Sequence, residues 1–224
     1  MEIEKMYPDI NPYTRPGYPI QEHRGVLMHW TATPRATAEN IRNAFDRNIF
    51  NRVFASANYI IGIDGETIEY VPPDEIAYHG GSVSPEYYTE AARRLWEDHP
   101  KYVNWHETAL NIWAPYYWLI GVEMCHETMD GKFTPATLYA AKELLIDLWE
   151  QKDMGDPVTH TLRHTDVTQK GVRGFEGELP CPRWWVEHPE DWLDFRMYTK
   201  EAICNAVDRL RGKYGAARNA RLTR

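Results

Sequence analysis

Cysteine is scarce: Cys125, Cys181 and Cys204 are the only three in 224 residues. They are too few and too widely spaced for a disulfide framework, so a reducing compartment is expected, with one of them a candidate metal ligand. No apolar run is long enough to cross a bilayer, which excludes stable membrane insertion through a helix. The opening MEIEKMYPDINPYTRPGYPI lacks the basic flank and apolar stretch of a secretory leader, so synthesis in the cytoplasm is expected. A basic excess is missing too. The formal net charge is -8, which argues against general affinity for nucleic acid. Phenylalanine is sparse at 6, against 9 Trp and 14 Tyr, a balance used in sugar and peptide grooves as well as in core packing. There is no internal repeat and no low-complexity segment.

What is present belongs to a folded globular chain. Hydrophobic residues make up 43% and charged residues 26%, near the averages for such proteins, and the length fits one domain with at most a small appendage. A monomer is the expected state.

Short β-rich runs alternate with helical stretches, which predicts an α/β fold in a single domain. Residues 25–30 read as the first strand. Thr37 can cap a helix over 38–50, because Ile41, Ala44, Phe45 and Ile49 recur on one face. Residues 57–63 and 67–71 flank Asp64-Gly65 and read as a hairpin. Ser84-Pro85 opens a predicted helix over 84–98, inside an apparent insertion spanning 82–118. Residues 119–125 suit a buried strand, and Thr134-Pro135 opens a helix to 151 bearing Leu138, Ala141, Leu145 and Leu148. A strand over 158–162, a glycine-containing loop and a closing helix over 189–211 complete the pattern, followed by a basic tail.

The side chains best suited to chemistry are His29 at a strand end, His164 just after another strand, and Cys181 between two prolines. Imidazole and thiolate are good zinc donors, and three protein ligands leave the fourth position of a catalytic zinc open. Taken alone these residues have an equally ordinary reading, as hydrogen-bonded strand histidines and a small buried thiol.

Their surroundings narrow the choice. Val26-Leu27-Met28-His29-Trp30-Thr31-Ala32 is followed in order by Ser56-Ala57-Asn58-Tyr59, Ala77-Tyr78-His79-Gly80-Gly81 and Ile120-Gly121-Val122-Glu123-Met124-Cys125. Arg163-His164-Thr165-Asp166-Val167-Thr168, Cys181-Pro182 and Trp185-Val186-Glu187-His188-Pro189 come after them. This series, running over residues 25–195, resembles the amidase-2 family of N-acetylmuramoyl-L-alanine amidases, relatives of the peptidoglycan recognition proteins. Within the family it resembles the branch found in phage and prophage endolysins.

The resemblance implies a mixed central β-sheet flanked by helices, a zinc amidase catalytic domain over residues 1–195, and a C-terminal helix with basic tail over 196–224. It implies Zn2+ held by His29, His164 and Cys181, and Glu123 as the active-site carboxylate. It also implies His79 in the groove that takes the stem peptide of peptidoglycan, with Trp30 and Tyr59 as candidate floor residues. Four of these residues keep a plainer alternative. Glu123 could instead orient a ligand histidine, His-Gly-Gly could be a polar turn, and a strand aromatic is as often core. Asp166 could orient the loop after His164 or cap a turn.

At one point the sequence departs from the family pattern. Endolysin relatives place a Lys just before the Cys, whereas here residues 169–180 intervene and Leu179 stands two before Cys181. Lys170, Arg173 and Arg183 are then the candidate cations for stabilising an oxyanion, with Lys170 foremost if the added loop folds back. The implied activity is hydrolysis of the amide between N-acetylmuramic acid and L-alanine, with release to the wall through a membrane lesion. A cytosolic muropeptide-recycling amidase and a non-catalytic peptidoglycan-binding module are the alternatives. The basic residues of 209–224 could attract the anionic wall or form a solvated terminus.

Overall fold

The computed structural model describes residues 2–81, 87–94, 114–172, 174 and 176–222, with side chains in the last helix described to residue 209. Its frame is a six-stranded sheet. The strands are β1 (Glu4–Lys5), β2 (Gly25–Pro34), β3 (Tyr59–Ile61), β4 (Thr67–Glu69), β5 (Leu119–His126) and β6 (Thr161–Arg163). They lie in the order β1-β4-β3-β5-β2-β6, and every pairing is parallel except the β3–β4 hairpin, so the sheet is mixed as expected.

The central strands β2 and β5 are flanked by strands on both sides, which explains their nearly unbroken apolar sequence. Two-residue periodicity still sorts their side chains. Val26, Met28, Trp30, Ile120, Val122 and Met124 join one apolar cluster on the far face. Over it lie α3 (Pro135–Gln151), with Ala141, Leu145 and Leu148, and α7 (Pro189–Leu222), with Trp192 and Ile203. Fully burying each of the leucines contributes about 1.5–3 kcal/mol. Two separate clusters cover the near face. One sets Ile41 of α1 (Ala38–Asn51) against Ile60, Ile68 and Cys125, and the other gathers Leu27, Leu119 and Leu162 beneath Tyr88 and Trp118. His29, Gly121 and Glu123, also on the near face by alternation, belong to neither.

Local chemistry explains most helix boundaries. Thr37 accepts the Asn40 amide at 3.1 Å while Asn40 Oδ1 accepts the Thr37 amide at 3.1 Å, a reciprocal cap that starts α1. Thr134 caps α3 through the Thr137 amide at 3.0 Å, and its hydroxyl also donates to the Ile63 carbonyl at 2.6 Å, fixing the helix to the hairpin.

The strand expected over 158–162 is only three residues long. Asp156 accepts the Val158 amide at 2.9 Å with Pro157 at the first helical position, so the chain makes the short helix α4 (Pro157–His160) before β6. In the region 82–118, helix α2 (Glu90–Arg94) is described, and the rest of the helix predicted over 84–98 lies outside the described residues. Helix α7 continues past the expected end at 211, and Thr199, Ile203 and Ala206 are buried, so the helix crosses the boundary at 195 without a break. The side chains of the basic tail beyond 209 lie outside the described residues. Among those described, no helix is long and apolar enough to cross a membrane.

Candidate metal centre and active site

Register alone brings the first two groups together. His29 on β2 is the direct partner of Glu123 on β5, and both point from the near face. Met28 is paired with Arg163 of β6, so the next residue, His164, begins α5 (His164–Thr168) beside His29, with ring centroids 4.7 Å apart. Cys181 arrives from 17 residues beyond His164. The Thr165 amide donates to the Cys181 carbonyl at 2.9 Å, and the Cys181 amide donates to Thr165 Oγ1 at 2.9 Å. Donor atoms of His29, His164 and Cys181 consequently lie within 4.8 Å of one another, all buried. His29 Nδ1 is 3.7 Å from Cys181 Sγ.

The electrostatics suit a cation. Burial pushes His29 well below its ordinary value, and His164, His79 and Lys170 add to the shift, so its imidazole is neutral and able to donate a lone pair. Burial, then the Glu123 charge, push the Cys181 thiol up to about 12, while Lys170 and the Trp30 amide act the other way. Burial raises Glu123 to about 8 against the opposing pull of Lys170, and Glu123 Oε2 is buried with no hydrogen-bond partner among the described residues. A buried carboxylate oxygen without a partner is costly unless a polar guest meets it. Two imidazoles and a thiolate are a nitrogen–sulfur donor set, which matches zinc and disfavours magnesium or calcium.

Beside the cluster, on the side of Glu123, lies a groove of about 470 Å³ bordered by Thr31, Phe45, Glu123, Lys170 and Leu179. Lys170 reaches it because the added loop is pinched at its base. The Thr165 hydroxyl donates to the Lys170 carbonyl at 2.7 Å. Gly171, at φ +82°, lies so close to the returning chain that a Cβ there would sit 2.2 Å from the Pro180 nitrogen. Of the other candidate cations, Arg183 lies on α6 (Arg183–Glu187), bonded to Glu187 at 2.8 Å and to the Met129 carbonyl at 3.4 Å. Arg173 lies outside the described residues.

Of the three residues expected in the groove, Trp30 borders it, while Tyr59 and His79 are not among its walls. Tyr59 is buried on the far face, where its hydroxyl donates to Glu69 Oε2 at 3.3 Å. Strand alternation explains this, since its neighbour Ile60 takes the near face. Trp30 borders the groove, but its ring is turned to the far face against His126, with centroids 4.7 Å apart, and is nearly fully buried. His79 is buried behind His29, with Nδ1 3.3 Å from His29 Nε2 and Nε2 3.0 Å from the Leu119 carbonyl. Burial lowers its pKa to about 4, so it is neutral.

Supporting residues were less legible. The Arg163 guanidinium grips Asp166 at 2.7 Å and donates to the Trp185 carbonyl at 2.6 Å, joining the His164 turn to the helix that follows Cys181. Asp166 therefore orients this loop and, by accepting the Arg163 amide at 3.0 Å, also caps the turn, so it takes both of its expected roles. Thr165 and Gly121 carry no chemical signal in the sequence, although a glycine within an apolar strand does mark a close approach.

The Amidase_2 family, described as N-acetylmuramoyl-L-alanine amidase, matches residues 18–175, a span that stops short of Cys181. A probable N-acetylmuramoyl-L-alanine amidase of Bacillus licheniformis is 34% identical over 189 residues, covering 84% of this chain and 44% of that protein. The N-acetylmuramoyl-L-alanine amidase BlyA of Bacillus subtilis strain 168 is 30% identical over 194 residues, covering 87% of this chain and 46% of its own. The chain thus spans about half the length of the curated relatives it matches. A solved mutant endolysin from Bacillus subtilis shares the fold, with a TM-score of 0.59 at 18% identity over 88% of this chain and 97% of that one. With the family pattern covering β2 through β6 and relatives at 30% identity or more along most of its length, the chain belongs to the N-acetylmuramoyl-L-alanine amidase family.

Proposed function

We propose that this chain hydrolyses the amide between N-acetylmuramic acid and L-alanine in peptidoglycan, with zinc held by His29, His164 and Cys181. The observation that carries the reading is the buried His-His-Cys cluster next to a Glu123 oxygen with no partner among the described residues, in a chain of this family. When bound, zinc supplies a Lewis acid that polarises the amide carbonyl and lowers the pKa of water to about 7.

The protein's own groups do the rest. Glu123, as the carboxylate, accepts the proton of the attacking water on Oε2 and passes it to the departing alanine nitrogen. Lys170, in the same groove, supplies the positive charge that stabilises the oxygen on which negative charge develops. Glu123 and Lys170 favour catalysis over passive binding, because a binding module needs neither an acid–base carboxylate nor an oxyanion cation.

The setting we propose is a phage or prophage endolysin, made in the cytoplasm and meeting the wall after the membrane is breached. The endolysin named among the fold neighbours supports it. Product analysis on purified peptidoglycan tests the bond cut. New N-terminal alanine without new reducing sugar ends is expected, whereas reducing ends, or no product from zinc-loaded protein, would overturn the activity. Cleavage of small muropeptides but not of intact walls would move the reading to a recycling amidase.

A further inference from the structure

We infer that His79 is a positioning residue which, hung from the Leu119 carbonyl, keeps the ring proton of His29 on Nε2 and leaves Nδ1 bare toward Cys181. The inference follows a line of contacts from β5 to the cluster. A carbonyl oxygen has no proton to give, so at 3.0 Å from Leu119 O the His79 Nε2 must be the donor. The single proton of a neutral imidazole is then spent, and His79 Nδ1 can only accept. Its partner at 3.3 Å is His29 Nε2, which must therefore donate. That places the one ring proton of His29 on the side away from the cluster. Its Nδ1 lone pair faces Cys181 Sγ at 3.7 Å. Which nitrogen of a histidine can bind a metal is set by the hydrogen bond that the other nitrogen makes.

The surroundings hold this line in place. A Cβ on Gly121 would sit 2.4 Å from His79 Cδ2, so only glycine at this point of β5 leaves room for the ring. The strand cannot retreat there. The Gly121 amide donates to Asn58 Oδ1 at 2.9 Å, and the Asn58 amide donates back to the Gly121 carbonyl at 3.0 Å. Asn58 is itself tied through Nδ2 to the Glu75 carbonyl at 3.0 Å. Asn58, Gly121 and His79 thus form one assembly whose output is the orientation and tautomer of His29. The tautomer follows from these hydrogen bonds between neutral rings, and its bearing on metal affinity rests on the zinc reading proposed above.

Imidazole 15N–1H correlation spectra of the metal-free wild-type protein test the tautomer directly. A His29 proton on Nε2 is expected, and a proton on Nδ1 would overturn the inference. Zinc dissociation constants measured by chelator competition form the second arm. Both His79→Phe, which keeps the bulk but loses both nitrogens, and Gly121→Ala, which displaces the ring, should bind zinc about 10–100-fold more weakly. His79→Asn, whose amide oxygen can still accept from His29, should recover part of that loss. At saturating zinc, His79→Phe should retain its KM. A raised KM with wild-type zinc affinity would make His79 a substrate contact and sink the inference. Should the phenylalanine variant fail to fold, the spectra of the wild type still decide. Wild-type protein that binds no zinc would defeat the proposed function while leaving the tautomer to the spectra.

Discussion

Glu123 concentrates the conflict between stability and chemistry. Its folded pKa of about 8 lies above the ordinary 4.5, so in the metal-free protein the unfolded chain releases this proton first as pH rises. The buried carboxylate therefore costs stability progressively from about pH 4.5 upward, with the full cost reached above about pH 8. Glu123→Gln, which resembles the protonated acid, should stabilise the metal-free protein at pH 7 by about 1 kcal/mol or more, raising Tm by roughly 2–4 °C. At pH 4 the difference should vanish. The same variant should keep zinc and lose about 10² to 10⁴-fold in kcat. Thermal melts at the two pH values and zinc-loaded turnover check it, and an equal loss of stability at both would contradict the buried-charge account. Lys170 makes the opposite kind of contribution, active only as charge develops. Lys170→Ala should lower kcat on a soluble muropeptide by about 10² to 10³-fold, the scale of losing one oxyanion donor. Arg183→Ala, which removes a cation already bonded to Glu187, should leave kcat near wild type. The reverse ranking would transfer the role.

At the scale of elements, the site depends on short segments held together by main-chain contacts. Thr165 carries two of them, accepting the Cys181 amide and donating to the Lys170 carbonyl. Thr165→Val keeps the shape but leaves both backbone groups without that partner, at a cost of about 1–3 kcal/mol. A lower Tm and weaker zinc binding are expected, with Thr165→Ser close to wild type. If valine and serine behave alike, the hydroxyl has no such role. This stitch also shows where sequence reading reaches its limit. Caps at Thr37 and Thr134, the Asp64-Gly65 turn and the apolar run of β5 are local signals, and each marks its element to within a few residues. The short helix at 157–160 was missed because capping by Asp156 outweighs the strand preference of Val158 and Thr159. The rings of Tyr59 and Trp30 face away from the groove for a different reason. Their apolar character places them inside, but only the pairing of strands says which face is inside for each.

For the whole molecule, a metal that binds the folded chain and not the unfolded one adds its binding energy to folding. At a free concentration one hundred times Kd this amounts to about 2.7 kcal/mol. Removing zinc with a chelator should therefore lower Tm by roughly 5–10 °C in a chain of this size. Zinc should restore it and magnesium should not, because the donors are nitrogen and sulfur. A Tm indifferent to chelation would argue against a metal at this cluster.

The sequence by itself determined the alternation of elements, the ordered motifs and the chemical types of His29, Glu123, His164 and Cys181, because caps, turns and periodicity act over a few residues. Only the tertiary structure decided that β2 runs between β5 and β6, that Lys170 returns to the groove while Arg183 does not, and that His79 stands behind His29. These outcomes depend on pairing between segments up to 152 residues apart, as for His29 and Cys181, and on which face each strand presents once paired. Neither is written in any local stretch of the chain.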